Sequence, residues 1–312
     1  MNDKVATRDA YGKTLQKLAP KNPNIIVLDA DCSSSTRTSW LAKECPQQFF
    51  NFGIAEANMI GAAAGLATCN KIVFTSTFAI FGSARCFEQI RDSVCWPNLN
   101  VKIVVTHAGL SVGEDGASHQ AIEDISLIRT LPNITIIVPA DGIETEKVIA
   151  KAAETYGPFY IRLGRAKFPI ILSKDYKFQI GKAVTLREGC DATIIANGLM
   201  ISESIKAAEI LEKKGISVRI INMSTIKPID KEAIIKAAKE TGAIITAEEH
   251  TILGGLGGAV AEVLVENFPV PMKRIGVADF FGFSATPDEL LEYFHMTGQD
   301  IAQAVKETID KK

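Results

Sequence analysis

Short runs of β-branched and aliphatic residues alternate with longer stretches of helical periodicity along the first half of the chain. Strands that alternate with helices in this way pair in parallel, because each helix carries the chain back across one face of the sheet. The pattern therefore predicts a parallel sheet with helices on both faces. The candidate strands of this sheet are residues 25–28, 72–75, 101–105, 134–138 and 159–163.

A second, smaller alternation follows residues 166–189, where the periodicity lapses, Pro169 interrupts and charged residues collect. Such a break is typical of the segment between two domains. We predict one domain at 1–170, a linker at 171–185 and a second domain at 186–312. In the second domain, strands are expected at 192–196, 218–221, 244–247 and 272–276, and helices near 200–214, 231–241, 256–267 and 298–310. The predicted fold class is α/β, with two domains that each contain a mostly parallel sheet flanked by helices.

The charge and the cysteines restrict the classes of partner. The formal net charge of −2 gives no electrostatic case for nucleic acid or an anionic membrane, so an anionic ligand must be bound by local arginine and histidine. The six cysteines form no Cys-x-x-Cys pair and are predicted to be reduced thiols. The first residues are too polar for a signal peptide, and no apolar run reaches the roughly 18 residues that a membrane helix needs. We therefore expect a cytoplasmic protein.

Polar residues follow each predicted strand of the first sheet, at the point where the strand ends. They include Asp29, Asp31, Ser35, Ser76, Thr77, His107, Asp141 and Arg165. Because the carboxyl ends of parallel strands lie at one edge of a sheet, these residues are expected to converge. A crevice with hydroxyls, imidazoles, carboxylates and a guanidinium suits a polyhydroxylated small molecule that carries a phosphate.

The loop after the third predicted strand, residues 107–124, has a high density of proton carriers. It contains two of the four histidines, His107 and His119, together with four carboxylates and three glycines. We interpret the loop as the rim of an active site, the alternative being a solvated loop without a role. A helix is predicted to begin near Ser118, a residue type that caps helices.

Glu56 is a second candidate for chemistry, because apolar residues such as Phe52 and Met59 surround it in the sequence. A carboxyl in such company is either a solvated charge at the start of a helix or a buried acid, and burial raises the pKa of glutamate from about 4.3 to as much as about 8 or 9. Phe78 and Phe81 supply aromatic walls for the second interpretation, although core phenylalanines are the commoner explanation of such a pair.

Three stretches of the chain resemble the second half of transketolases, which are thiamine-diphosphate enzymes. They are Gly-Ile-Ala-Glu-Ala-Asn-Met at 53–59, Ser-Thr-Phe-Ala-Ile-Phe at 76–81, and the run from His107 through Gly-Glu-Asp-Gly to His119-Gln and Glu-Asp. The resemblance covers essentially the whole chain, since Gly164-Arg165 and residues 248–257 also match that family.

The resemblance implies a role for each matching residue. Glu56 would hydrogen-bond a ring nitrogen of the cofactor's aminopyrimidine and would have to carry a proton in a dry site. Phe78 and Phe81 would flank that ring, and Asp31 would lie near the cofactor. The substrate contacts would be Arg8, Ser35, His107 and Arg165 for the phosphate and sugar, and Asp115 and His119 for the hydroxyls and the carbonyl. The implied catalytic residues are Glu56, His107 and His119.

Three features of the sequence depart from the family's pattern. Ala84 stands where many relatives have tyrosine, and Ala108-Gly109 stands where Asp-Ser is common, which leaves the pyrimidine pocket and the acceptor preference open. More important, transketolases bind magnesium and the pyrophosphate through a Gly-Asp-Gly stretch in a separate N-terminal domain, and this chain has none. Asp141, in Ala-Asp-Gly, is better interpreted as a helix cap.

The missing stretch implies one subunit of a split enzyme. An N-terminal partner subunit would bind Mg²⁺ or Ca²⁺ and the diphosphate of the shared thiamine diphosphate, and this chain alone would be inactive. The expected assembly is an α2β2 heterotetramer in which copies of this chain also contact one another; the segment 56–68, rich in alanine and glycine, suits a buried helix at a subunit contact. The implied reaction is transfer of a two-carbon ketol unit from a ketose phosphate to an aldose phosphate.

Three alternatives remain at this point. Phe87-Glu-Gln-Ile-Arg resembles a 2-oxo acid dehydrogenase β subunit, although that class has no need of a phosphate set formed by Arg8, His107 and Arg165. The others are deoxyxylulose phosphate synthase and a non-catalytic homologue that only binds a partner.

The glycines at 254–258 invite interpretation as a phosphate loop, but they lack the strand-Gly-x-Gly-x-x-Gly context and a lysine. Close helix packing is the favoured explanation. Glu248, Glu249 and His250 are predicted to be structural or interdomain residues.

Overall fold

The computed structural model describes residues 4–312, whose strands form three sheets. In chain order the strands are β1 (Lys4–Ala6), β2 (Ile25–Asp29), β3 (Phe49–Asn51), β4 (Ile72–Phe78), β5 (Val101–Thr106), β6 (Thr135–Ile137), β7 (Phe159–Arg162), β8 (Lys167–Pro169), β9 (Val184–Arg187), β10 (Ala192–Ala196), β11 (Val218–Asn222), β12 (Thr225–Lys227), β13 (Ile244–Thr251) and β14 (Met272–Val277).

The α-helices lie mainly between the strands. They are α1 (Thr7–Leu18), α2 (Ser33–Thr36), α3 (Thr38–Glu44), α4 (Glu56–Thr68), α5 (Phe87–Gln89), α6 (Asp124–Arg129), α7 (Gly142–Glu154), α8 (Met200–Glu212), α9 (Lys231–Thr241), α10 (Leu256–Asn267), α11 (Pro287–Tyr293) and α12 (Gly298–Ile309). Two segments, Phe81–Arg85 and Ile90–Cys95, are π-helical. None of the helices in residues 4–312 is both long enough and apolar enough to cross a membrane.

The larger sheet has seven strands in the order β12-β6-β7-β5-β4-β2-β3. Its neighbours are parallel except β12 and β6. Strands β2 and β5 are buried at every residue, as expected for parallel strands with helices on both faces. The second sheet has the order β14-β13-β10-β11-β9 and is parallel except at β9. The predicted α/β class with two mostly parallel sheets is therefore confirmed.

Each predicted strand is present, with its ends shifted by a few residues. The helix predicted near Ser118 is wrong, because α6 begins at Asp124. The Ser118 hydroxyl bonds the neighbouring imidazole of His119 at 2.9 Å instead of a helix amide. The amides of His119 and Gln120 both donate to the carbonyl of Gly116, which closes a turn there.

Asp141 connects three parts of the chain and does not join the other polar residues at the sheet edge. One carboxylate oxygen caps α7 by accepting from the Glu144 amide at 2.9 Å, as predicted. The other accepts from the amides of Ile171 and Leu172 at 2.8 Å. Both carboxylate oxygens of Asp141 therefore accept hydrogen bonds within the fold, and they fix the segment at Ile171 and Leu172 that follows the first sheet.

The glycine-rich run at 254–258 packs against its own strand, as predicted. The Glu248 carboxylate accepts from the amides of Leu256 and Gly257 at 2.6 and 2.7 Å, at the start of α10. A Cβ at Gly255 would lie 2.1 Å from Glu248 Oε2, so only glycine permits this approach. The amides of Leu256 and Gly257, which a phosphate at the start of α10 would need, are already bound to Glu248.

Candidate active site

The carboxyl ends of β4, β5 and β7 lie side by side, because these strands are parallel neighbours. The register pairs Phe78 with Thr106 at the ends of β4 and β5. His107 follows β5 directly, and Arg165 follows β7 at the same edge. The sequence predicted this convergence, and the structure contains it in the centre of the larger sheet.

Four rings from three segments form an aromatic cluster, which consists of Phe78, Phe81, His107 and His119. The Phe78 ring stacks on His107 with centroids 3.9 Å apart and on Phe81 with centroids 5.9 Å apart. His119 presents its edge to Phe78 at 6.1 Å and to Phe81 at 5.5 Å. A positive φ of 58° at His107 turns the chain sharply at the end of β5. The cluster brings both candidate histidines against both candidate cofactor-binding phenylalanines.

The hydrogen bonds of His107 define its protonation. Nε2 lies 3.2 Å from Nη1 of Arg8, and since a guanidinium only donates, Nε2 is the acceptor. Nδ1 then carries the proton and donates to Oγ1 of Thr106 at 2.8 Å. Burial, with the nearby positive charges of Arg8 and Arg165, lowers the pKa of His107 to about 3. The imidazole is therefore a neutral, oriented group.

We expect the imidazole of His107 to remain neutral as the pH falls from 7 to about 4. The unfolded chain has the ordinary pKa of about 6.5 and binds the proton first. The stability that comes from this histidine is therefore fully present above pH 6.5 and is lost as the pH falls towards 3. Titration of the ring signals by nuclear magnetic resonance, assigned with His107→Asn, measures this. A midpoint above pH 6 would contradict the neutral imidazole.

Two arginines lie beside the cluster and supply positive charge. Arg8 donates from Nη1 to the carbonyl of Ser35 at 3.0 Å, and its buried Nε has no acceptor among residues 4–312. Arg165 donates from Nη1 to the carboxylate of Glu114 at 3.2 Å and lies 4.0 Å from that of Asp115. Arg8 and Arg165 are close enough that each affects the pKa of His107. This concentration of donors suits a phosphate group.

Glu56 is the first residue of α4 and is buried, with 4% of its surface exposed. Its carboxylate accepts a hydrogen bond from Arg85 Nη1 at 2.9 Å, and the Arg85 guanidinium lies 4.0 Å from the centroid of Phe81. Arg85 is not recognisable as a site residue from the sequence, because the π-helical segment that carries it has no spacing signal. The guanidinium of Arg85, a flat hydrogen-bonding group, thus occupies the position between the Phe81 face and Glu56.

Asp31 and Ser35 lie in the loop after β2. The Asp31 amide donates to Oδ1 of Asn51 at 3.0 Å, and the Asp31 side chain is exposed, with a φ of 61°. Its hydrogen bonds are to Asn51 and not to the aromatic cluster. Ser35 enters the site through its carbonyl, which binds Arg8. Within residues 4–312 no group of three or more His, Cys, Asp or Glu side chains is arranged to hold a metal ion.

Family models match most of the chain. The model of the transketolase pyrimidine binding domain matches residues 3–170, and that of the transketolase C-terminal domain matches residues 181–301. The chain belongs to the transketolase family. It is 51% identical over 308 residues to a putative transketolase C-terminal section from Methanocaldococcus jannaschii, with 98% of this chain and 96% of that protein covered.

A solved transketolase structure has the same fold. It is described as a split gene transketolase, inactive β4 tetramer, and is 50% identical, with a TM-score of 0.91 over 99% of this chain and 100% of that chain. Human transketolase is 39% identical over 315 residues, with all of this chain but 50% of the human protein covered. The chain therefore spans about half the length of the human relative, and its class is that of the ketol-transferring enzymes.

In this transketolase chain, the rim loop that carries Asp115 and His119 is fixed by a buried ion pair. Arg162 Nε donates to the Asp124 carboxylate at 2.9 Å, and the hydroxyl of Tyr160 donates to the same carboxylate at 2.8 Å. Arg162 also donates to the carbonyls of Ala121 and Glu249, at 2.9 and 3.0 Å. The rim is thereby held to β7 on one side and β13 on the other.

Glu249 contacts the rim through its side chain as well. Its carboxylate accepts from the amide of Ser111, and a Cβ at Gly109 would lie 2.5 Å from that carboxyl group. The Nε2 of His250 accepts from the Ser126 amide at 3.4 Å. The prediction that Glu248, Glu249 and His250 are structural or interdomain residues agrees with these contacts.

Proposed function

We propose that this chain is the C-terminal subunit of a thiamine-diphosphate-dependent transketolase. The enzyme would transfer a two-carbon ketol unit from a ketose phosphate to an aldose phosphate, and it would need an N-terminal partner subunit. The observation that carries the proposal is the position of Glu56. This residue is buried, the guanidinium of Arg85 lies between it and the Phe81 ring, and it stands at the edge of the site that holds His107 and Arg8.

The residues around Glu56 fit the pyrimidine end of the cofactor. Arg85 lies on the face of Phe81 while it donates to Glu56, and the pyrimidine, which is also planar and hydrogen-bonding, would take the place of this guanidinium. Glu56 would bind a pyrimidine nitrogen, Phe78 and Phe81 would line the ring, and Asp31 would lie near the cofactor. Thiamine diphosphate, when bound, supplies the electron sink that carbon–carbon cleavage requires.

The other residues would bind and orient the sugar. His107, neutral at physiological pH, would exchange hydrogen bonds with a substrate hydroxyl without adding charge, and His119 would hold the carbonyl. Asp115 would accept from a hydroxyl. Arg8, Arg165 and the Ser35 loop would bind the terminal phosphate, whose charge would replace the contact between Arg165 and the carboxylates of the rim.

Arg165→Ala is expected to raise the KM for a ketose phosphate by about 10- to 100-fold, because a charge-assisted hydrogen bond contributes roughly 1.5–3 kcal/mol. The KM for the same ketose without its phosphate should change little. Steady-state kinetics of the reconstituted enzyme with both substrates measures the difference, and Arg187→Ala, which removes an arginine paired with Glu212 in the second domain, is the control. Equal losses on both substrates would remove the phosphate-binding role.

The partner subunit would complete the cofactor site. It would bind the diphosphate and Mg²⁺ or Ca²⁺, and an α2β2 heterotetramer is the proposed assembly. This requirement is supported by the lack of a Gly-Asp-Gly stretch and by the relative from Methanocaldococcus jannaschii, which is described as a putative transketolase C-terminal section. Domains at 1–170 and 186–312, a linker at 171–185 and a cytoplasmic location are part of the proposal.

Reconstitution tests the proposed function. The purified chain is mixed with an N-terminal transketolase chain, thiamine diphosphate and magnesium, and transfer from xylulose 5-phosphate is assayed against decarboxylation of pyruvate. Ketol transfer by the mixture, with none by either chain alone, is the expected result. Decarboxylation of pyruvate would favour the 2-oxo acid dehydrogenase or deoxyxylulose phosphate synthase alternatives. Binding of the two chains without turnover would favour a non-catalytic homologue.

A further inference from the structure

Residues 280–283, here called the aromatic loop, follow β14 and expose large apolar side chains. Phe280 is 69% exposed and Phe281 is 81% exposed. Phe283 is 39% exposed and packs against Tyr293 and Phe294, with ring centroids 4.8 and 6.0 Å away. Adjacent exposed phenylalanines on one loop are unfavourable in water, and contiguous apolar surface of this kind marks interaction sites.

The aromatic loop is seated firmly on the rim of the active site. Gln120 donates from Nε2 to the carbonyl of Phe283 at 2.9 Å, and the Ser284 hydroxyl donates to the carbonyl of Glu114 at 2.5 Å. A Cβ at Gly282 would lie 1.9 Å from Gln120 Oε1, so only glycine allows the loop to approach this closely. The two exposed rings are therefore presented from a fixed position.

The aromatic loop lies beside rim residues that adjoin the candidate site residues Arg165 and His119. Glu114, which accepts from Ser284, also pairs with Arg165, and Gln120 directly follows His119. A protein that covers Phe280 and Phe281 would thus lie beside the rim. A protein docked at the opposite edge of the sheet would leave both rings in water.

We infer that the aromatic loop is a docking surface for the N-terminal transketolase chain. The inference rests on the proposed function, which requires that chain to bring the diphosphate and metal to Glu56. Human transketolase carries about as much again of polypeptide beyond the region that matches this chain, and the proposed N-terminal chain would correspond to that part. A chain that reaches the cofactor site by way of the rim would meet Phe280 and Phe281, which offer exposed apolar anchors.

The test is a double variant, Phe280→Ser with Phe281→Ser, compared with wild type and with Tyr156→Ser. Tyr156 is 67% exposed and lies just before β7, at the amino-terminal edge of the larger sheet, away from the site. Isothermal titration calorimetry measures the affinity for the purified N-terminal chain, and sedimentation velocity measures self-association of each variant alone. Circular dichroism confirms that all three proteins are folded.

We expect the double variant to raise the Kd for the N-terminal chain by roughly 30-fold or more, as truncation of buried aromatic anchors does, and Tyr156→Ser to leave it unchanged. Unchanged affinity of the double variant, with normal binding by wild type, would overturn the docking surface and leave the proposed function standing. Loss of self-association with normal partner binding would assign the loop to contacts between copies of this chain. Failure of wild type to bind would remove both the partner and the surface.

Discussion

Replacing Glu56 by glutamine lowers the turnover of the reconstituted enzyme by about 10²- to 10⁴-fold, if the carboxyl serves proton transfer through the pyrimidine as proposed. Glutamine keeps the size of the side chain and can still accept a hydrogen bond from Arg85, whose Nη1 lies 2.9 Å from Oε1 of Glu56. The amide can neither gain nor lose a proton at neutral pH. Single-turnover transfer from xylulose 5-phosphate, with assembly followed by sedimentation, separates the chemical effect from loss of the complex.

A matched control is available on the neighbouring short helix. Glu88 is exposed, and its carboxylate bonds only the adjacent Gln89 among the described residues. Glu88→Gln is the same substitution, in the same half of the chain, at an exposed residue, and it is expected to leave turnover unchanged. Near-wild-type turnover for Glu56→Gln in the intact assembly would refute the role of Glu56, whatever the binding data show.

The sequence was sufficient for the part of the fold that depends on local pattern. Each predicted strand formed, because runs such as β2 and β5 are apolar at most positions and need helices on both faces. The convergence of His107 and Arg165 followed from strand direction alone, since the ends of parallel strands share an edge. The family resemblance supplied the roles that these positions could have.

What the sequence could not predict depends on contacts between distant segments. Strand β12 is three residues long and exists because it pairs with β6, nearly ninety residues away. A turn forms at Ser118 instead of a helix. The Gly116 carbonyl accepts from the amide of Gln120, and the Gln120 side chain donates to the distant carbonyl of Phe283. Arg85 reaches Glu56 only because a π-helical segment turns it there, and no residue spacing reports a π-helix.

The neutral state of His107 also depends on contacts between distant segments and could not be predicted from the sequence. A site that contains a histidine and two arginines suggests three positive charges. Burial of His107 and the charges of Arg8 and Arg165 instead lower its pKa and keep the imidazole neutral. The positive charge for a phosphate then comes from Arg8 and Arg165 alone. His107 is left with a fixed tautomer, which Thr106 and Arg8 select from opposite sides of the ring.

The largest effect on stability is expected from Asp124→Asn, which leaves the buried guanidinium of Arg162 without its paired carboxylate. Removing one member of a buried ion pair costs about 3–5 kcal/mol of unfolding free energy, because the remaining charge stays desolvated. The side chains of both residues are almost fully buried, and the pair also fixes Tyr160. Urea unfolding followed by circular dichroism measures the loss.

The control for this prediction is a pair of the same chemistry at the surface. Arg91 and Asp92 are paired in solvent, so Asp92→Asn is expected to change the unfolding free energy by no more than about 0.5 kcal/mol. A loss below about 1 kcal/mol for Asp124→Asn would mean that water reaches Arg162 and that the rim is not held by this pair. Since Arg162 also binds the carbonyls of Ala121 and Glu249, the expected loss should be accompanied by a higher KM for the sugar phosphate, because the rim that carries Asp115 and His119 would no longer be fixed.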